Sequence, residues 1–454
     1  MTRMPLNCAA SIDDVSRGYA LQVPFARIQY RSSPAPWCVP GGAPLVVSSG
    51  SGNSAPTAVQ LGACYAVALF HRTSGAVLIV PVAASLGVAP HELGAVAIVF
   101  FWVYAALQLP SGVLADVMGS RRLAIAGCVA TGAGALAFGL AGEVWLAVAA
   151  RALIAAGSAV MFVSMVRHTT ANWPAEQVAT VIGRSIFVGN LGTIASSAPL
   201  ALALVFVDWR TLSLVLGATS FAFAIGLWSS GSRANEVRIG RARVRMLVPQ
   251  IRDVLGNRSN HYGLVILAGL AGSYWAFVGL WALPLLLAKD VPARTAVWSV
   301  SIMMACYAVG APIFGWIADR LKRHAMTLSM ACAGAVICWA VLASRLTLTP
   351  GTLAVVLFAL GFFSSGFHLV FAMVTERNPV EHAGTATSYI NIGTFLGAAV
   401  IQTIGVAMSN GQVTPACVMP MAIGSVVALA VSATLWPRRT RALATAARAL
   451  SATR

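Results

Sequence analysis

The sequence predicts an all-α membrane protein, twelve transmembrane helices in two pseudosymmetric six-helix halves. Three observations carry this. Of the 454 residues, 58% are hydrophobic and only 9% are charged, against about a quarter in soluble domains. The apolar residues gather in twelve runs long enough to cross a bilayer. A short polar motif after the second run returns after the eighth, at an offset of 203 residues.

Taken in chain order, residues 1–58 include "RSSPAPWCVPGGAPLVVSSGSGNSAP", which lacks the apolar core of a secretory signal. They read as a disordered cytoplasmic tail; a true start codon further downstream is the other reading. The first half, 59–229, holds apolar runs at 59–84, 93–114, 123–141, 144–166, 178–205 and 211–229. Lipid offers backbone N–H and C=O groups no partner, so each run must be a helix. In the fifth run, "GNLGTIASSAP" is dense in small residues, which permit close helix approach and bending. Residues 230–261 set seven arginines against Glu236 and Asp253. This basic linker reads as a solvated topology anchor or as a surface helix gripping anionic lipid headgroups. The second half, 262–436, holds runs at 262–288, 296–318, 325–344, 350–374, 384–408 and 415–436, and 437–454 form a cytoplasmic tail.

With both termini in the cytoplasm, 23 of the 30 Lys and Arg residues fall on cytoplasmic segments. Only Arg210, Lys289, Arg294 and Arg345 fall on the other side. The positive-inside rule then sets the orientation, in a bacterial inner membrane. The same asymmetry accounts for the net charge of +17, so no nucleic-acid partner is expected. Eight scattered cysteines form no CxxC and no metal-ligand spacing; they read as packing residues. Neither a metal nor a cofactor is expected, and the chain is expected to act as a monomer.

The recurring motif is "GVLADVMGSRR" (Gly112–Arg122) and "GWIADRLKRH" (Gly315–His324). Gly112, Ala115 and Asp116 align with Gly315, Ala318 and Asp319. Duplicated six-span halves around a midplane site are a transporter architecture. Together with Leu114, Gly119, Arg121 and Arg122, the first copy resembles the loop signature of the major facilitator superfamily, roughly G-x-L-A-D-R-x-G-R-R. Val117 and Ser120 depart from it, and the second copy keeps Arg320 but lacks the later glycine. In the fourth run Arg151 and Gly157 match the superfamily's R-x-x-Q-G-x-G, whereas Ile154 and Ala155 do not. The resemblance spans residues 59–437. Shorter stretches, "FHR", "NWP" and "APLALALVFVDWR", are similar to a bacterial branch with organic-anion carriers and siderophore exporters.

The resemblance implies alternating access. A carboxylate at a helix end can meet the positive N-terminus of a neighbouring helix. Asp116 would so meet the start of the eleventh span, and Asp319 the start of the fifth. Arg121 and Arg122 would add charge pairs and lipid-phosphate contacts. These contacts would hold the cytoplasmic gate shut when the carrier opens outward, a coupling of about 1–3 kcal/mol in such switches.

None of the thirteen Asp and Glu residues falls near a midplane. Arg72, Arg151 and Arg184 do enter the membrane, where a charge costs roughly 2.5–3.5 kcal/mol on insertion scales. Arg184 can snorkel back to the interface. Arg72 cannot, and is expected to face an aqueous cavity with no protein carboxylate to neutralise it. Its planar fork suits a carboxylate, hydroxamate or similar anion brought by the substrate; hydrogen bonds to carbonyls at a kinked helix are the alternative. Arg151 reads as a cavity contact or as interhelix glue. His71 and His368 are the embedded groups able to carry a proton, and each is also an ordinary interior residue. Tyr65, Tyr104, Gln108, Asn190, Tyr274, Trp275 and Asn391 read as cavity walls suited to a polar organic molecule with an apolar portion.

The leading expectation is therefore a secondary transporter of a small organic anion or zwitterion, with protons as a candidate coupling ion. The alternatives are an exporter of a siderophore or drug-like metabolite, and a transporter-shaped sensor. No nucleotide loop, metal cluster or nucleophile–base pair points to an enzyme.

Overall fold

The computed structural model describes residues 55–230, 241–344, 348–379, 382–409 and 412–434. The two predicted tails and linker residues 231–240 lie outside the described residues, apart from the last positions of the first tail. Among the described residues, ten helices are long and apolar enough to cross a membrane, and two bent pairs, each taken as one span, bring the total to twelve. Span one joins Thr57–Thr73 to Gly75–Leu86 at 59°, and span five joins Thr180–Ala195 to Ala198–Phe206 at 49°. Spans two to four are Gly94–Ala115, Ser120–Gly139 and Val144–Asn172, and span six is Trp209–Ser229. Spans seven to twelve are Arg258–Ala288, Ala293–Leu321, His324–Ala343, Pro350–Thr375, Ala383–Ser409 and Pro415–Ala433. Each falls on a predicted run.

Span four continues six residues past its predicted end. In its polar last turns side chains bond back to carbonyls one turn earlier, Thr169 Oγ1 to Met165 O at 3.0 Å and Asn172 Nδ2 to His168 O at 2.8 Å, without breaking the helix. The same device makes the bends. Hydroxyls that take up backbone carbonyls loosen a helix. In span one, Thr73 donates to Leu69 O at 2.9 Å and Ser74 to His71 O at 3.2 Å. In span five, Ser196 donates to Thr193 O at 2.7 Å, and Pro199 follows without an N–H of its own. The two bends touch, Thr73 Oγ1 lying 2.6 Å from Ser196 Oγ. Spans seven and ten carry their own irregular turns, a π turn at Phe277–Trp281 and a 3₁₀ turn at Ser365–Phe367. Irregular backbone at membrane depth persists only where protein encloses it, so these turns mark the interior.

Span seven has 83% of its apolar window buried and span six 28%, which puts seven at the centre and six at the rim. Lipid tails are as apolar as leucine, so helices associate by close packing. Spans seven and eleven meet along a small-residue seam. Any side chain at Gly393 would overlap the carbonyl of Leu264, and any at Gly397 that of Ala268.

At the basic end, Gly119 joins spans two and three with φ 84° and ψ 151°, a conformation that favours glycine. The offset of 203 places Lys322 at the same point of the second copy, and it too is left-handed, with φ 51°. The turn outlives its glycine. Arg121 donates to Leu227 O at 2.7 Å and Trp228 O at 2.6 Å, binding carbonyls at the end of span six. This is a backbone role not among those expected of it. The linker helix Arg241–Gly256 is tied to spans seven and ten by asparagines, with Asn260 Nδ2 donating to Val254 O at 2.9 Å and to Asn378 Oδ1 at 3.1 Å.

Candidate functional site

Arg72 ends the first segment of span one, one residue before its bend, and is 7% exposed. Its guanidinium lies 3.9 Å from the ring centre of Trp275 and 5.9 Å from that of Phe395. No hydrogen bond or ion pair joins it to any described residue, and its Nε is buried without a partner. The carbonyls at the bend go to Thr73 and Ser74 instead. The open aqueous cavity expected around Arg72 is absent here. Aromatic rings from spans seven and eleven close over the charge, substituting a cation–π contact of about 2 kcal/mol for hydration.

Four tyrosine hydroxyls, of Tyr65, Tyr104, Tyr274 and Tyr307, lie within electrostatic reach of this guanidinium. Tyr104 stacks on Phe395 at 4.1 Å, and Tyr274 on Tyr307 at 4.3 Å. The Tyr274 hydroxyl is fully buried and unpartnered. One turn from Tyr104, Gln108 Oε1 accepts from Asn391 Nδ2 at 3.1 Å, linking spans two and eleven. Asn190 is half-buried, with no hydrogen bond among the described residues, and its neighbour Gly189 packs on Tyr65. Sequence reasoning missed Tyr307 and Phe395. The repeat had offered the first, since Tyr104 plus the motif offset of 203 is Tyr307; the same offset carries Arg72 onto Trp275. Phe395 gives no comparable signal.

His71 is 4% exposed, and its Nε2 has no partner. His368 begins the helix after the 3₁₀ turn of span ten, 4.0 Å from the Phe367 ring and 5.9 Å from Tyr307. Its Nδ1 lies 2.8 Å from Ser365 O and must donate, because a carbonyl only accepts. That leaves Nε2 as the acceptor of the neutral ring. Despite its aromatic surroundings, His368 is exposed. Arg151, 2% exposed, lies over Phe100 at 5.2 Å and likewise makes no hydrogen bond among the described residues.

The two ends of the interface between the first six and last six spans differ. At the end opposite the loop motifs, called here the far end, Trp102 Nε1 donates to Thr403 Oγ1 at 3.3 Å and Ala198 N to Ser301 Oγ at 2.9 Å. A side chain at Gly94 would come 3.1 Å from Val406, and one at Gly75 would come 3.1 Å from Gly279 O. At the basic end, spans two, five, eight and eleven carry Gly112, Gly183, Gly315 and Gly384, and a side chain at any of them would meet nothing within 4 Å. Asp319 does not face the start of span five. It is 80% exposed and lies 3.3 Å from His324 Nε2 in its own loop. Arg320 stacks over Trp316 at 5.5 Å and Arg122 is exposed. The side chain of Asp116 lies outside the described residues. Among the described residues, the far end holds close contacts between the halves, whereas the four glycines at the basic end have free space beside them.

Twelve spans, paired loop motifs and a polar centre closed from one side define a membrane carrier. The sequence profile of the Major Facilitator Superfamily matches residues 61–283 and 264–452, and the chain belongs to that family. It is 22% identical over 409 residues to a D-galactonate transporter of Escherichia coli O6:H1, covering 82% of this chain and 93% of that protein. It is 27% identical over 162 residues to a probable sulfoacetate transporter of Cupriavidus necator, covering 36% and 37% of the two chains. Among solved structures, a mutant of the nucleoside transporter NupG superposes with a TM-score of 0.67 at 13% identity, covering 84% of this chain and 99% of that one. A bacterial homologue of the lysosomal transporter Spinster, inward-facing and occupied, gives 0.63 at 15% identity, covering 83% and 95%.

Proposed function

We propose that this chain is a secondary active transporter of a small organic anion or zwitterion, working by alternating access in a bacterial inner membrane. The single observation that carries the reading is Arg72, a guanidinium buried between the first and last six spans with no hydrogen bond or ion pair to a described residue. An unpaired buried charge costs several kcal/mol; a carboxylate arriving with the cargo removes that cost through two charge-assisted hydrogen bonds. The two relatives matched in sequence are named for galactonate and sulfoacetate, both organic anions, which supports the class.

In this reading the basic end is cytoplasmic, both termini lie there, and the structure is inward-open. The bodies that rock are residues 59–229 and 262–436. Asp116 and Asp319, with Arg122 and Arg320, engage the opposite half when the basic end closes, and Arg121 anchors the first motif to span six. Of the two histidines, His368 is better placed to carry a proton, because it is exposed and its Nε2 is the acceptor of the neutral ring. His368→Gln is therefore expected to transport without response to an imposed proton gradient.

Uptake of galactonate, sulfoacetate and simple carboxylates into proteoliposomes tests the reading. Arg72→Ala is expected to lower uptake by about a hundredfold and Arg72→Lys by about tenfold, since an ammonium keeps the charge but not the fork. Near-normal apparent affinity in both variants would remove Arg72 from the site.

A further inference from the structure

We infer that the cargo carries two acidic groups joined by a short carbon chain, one for Arg72 and one for Arg151. This rests on the reading of Arg72 as cargo ligand. Arg151 meets the same physical criterion independently: it is 2% exposed, its Nε is buried without a partner, and no hydrogen bond or ion pair joins it to a described residue. No Asp or Glu lies at its depth in any span.

Both arginines adjoin the bend of span one. Arg72 stands just before the bend, and an Arg151 terminal nitrogen lies 3.4 Å from the point where a side chain on Gly75 would begin. Beyond the bend Arg151 lines a small cavity of about 10 Å³ with Gly75, Val96 and Phe138, space for about one water. Aromatic rings connect the two charges. Phe100, under Arg151, lies 5.9 Å from Tyr104, Tyr104 lies 4.1 Å from Phe395, and Phe395 lies 5.9 Å from the Arg72 guanidinium.

The arrangement selects by charge count. A monoanion on Arg72 leaves the second cation uncompensated in a low-dielectric interior, where like charges repel more strongly than in water. A dianion satisfies both, and its carbon chain lies along the ring faces. A monoanion accompanied by a free inorganic anion offers the same chemistry from two sources.

Binding to the purified full-length protein tests this with pairs of equal carbon count: butyrate against succinate, pentanoate against glutarate, and gluconate against glucarate, each with and without chloride. Wild type is expected to bind at least one dianion tenfold or more tighter than its partner. Arg151→Gln should weaken that dianion at least tenfold more than it weakens the monoanion, erasing the preference. Arg151→Lys, which keeps the charge and guards against a mere folding defect, should preserve the preference. Arg72→Gln should weaken both members of a pair.

An unchanged dianion-to-monoanion ratio in Arg151→Gln overturns the inference, as does the lack of any preference in wild type. It is also overturned if chloride raises the monoanion to the dianion's affinity, which would assign Arg151 to a free anion. Retained binding in Arg72→Gln, by contrast, removes the underlying reading of Arg72 itself.

Discussion

The two ends of the interface between the first and last six spans are made of similar residues yet do opposite things. At the far end the contacts are short and fixed, from Trp102 to Thr403, Ala198 to Ser301 and Gly75 to Gly279. At the basic end four glycines at corresponding points of spans two, five, eight and eleven face open space. Gly183 and Gly384 stand 201 residues apart, as do Asn190 and Asn391, and Gly112 and Gly315 stand 203 apart. The lesson is that the far end owns its contacts between the halves in this structure, while the basic end has unfilled room beside its glycines. A two-state carrier needs this inequality, and it must reverse during the cycle.

Breaking the closed end should give the largest effect. Gly94→Leu places a branched side chain against Val406, where even the first carbon comes within 3.1 Å. Proteoliposome uptake is expected to fall by about a hundredfold, and a thiol reagent should react faster with Ser197→Cys from the far side. Blocking the open end should give a smaller and more selective effect. The first carbon of Gly112→Trp or Gly315→Trp meets nothing within 4 Å in the present state, and equilibrium binding should stay within about twofold. Transport should still fall tenfold or more, because the ring prevents closure.

Trimming single far-end hydrogen bonds sharpens the comparison further. Ser301→Ala or Trp102→Phe each removes a bond worth about 0.5–1.5 kcal/mol. Each should raise far-side labelling of Ser197→Cys by a few-fold without abolishing uptake. The smallest effect concerns the loop alone. A left-handed non-glycine residue costs roughly 1–2 kcal/mol, so Lys322→Gly should raise the melting temperature slightly and leave transport unchanged.

Much of this was legible before any coordinates. Twelve spans follow from run length, because lipid leaves the backbone no choice but a helix. The centrality of Arg72 follows from the expense of an arginine at that depth. The enclosure of that arginine was not legible, since it depends on Trp275 and Phe395 arriving from spans seven and eleven. Nor was the unequal contact of the two ends, which depends on the relative placement of the halves. Asp319 shows the difference, matching a gate motif by pattern while lying, in the open end, on His324 of its own loop. The bends were half legible, as small residues in span five and as nothing beyond Thr73 and Ser74 in span one.

The central claim is that Arg72 waits for a negative charge that only the cargo supplies. Binding of an acid and its uncharged amide, gluconate and gluconamide or the corresponding pair for the best ligand found, measures that charge alone. Wild type is predicted to prefer the acid by a hundredfold or more, and Arg72→Gln to bind both about equally. Equal binding of acid and amide by wild type, or an acid preference that survives in Arg72→Gln, would contradict the account.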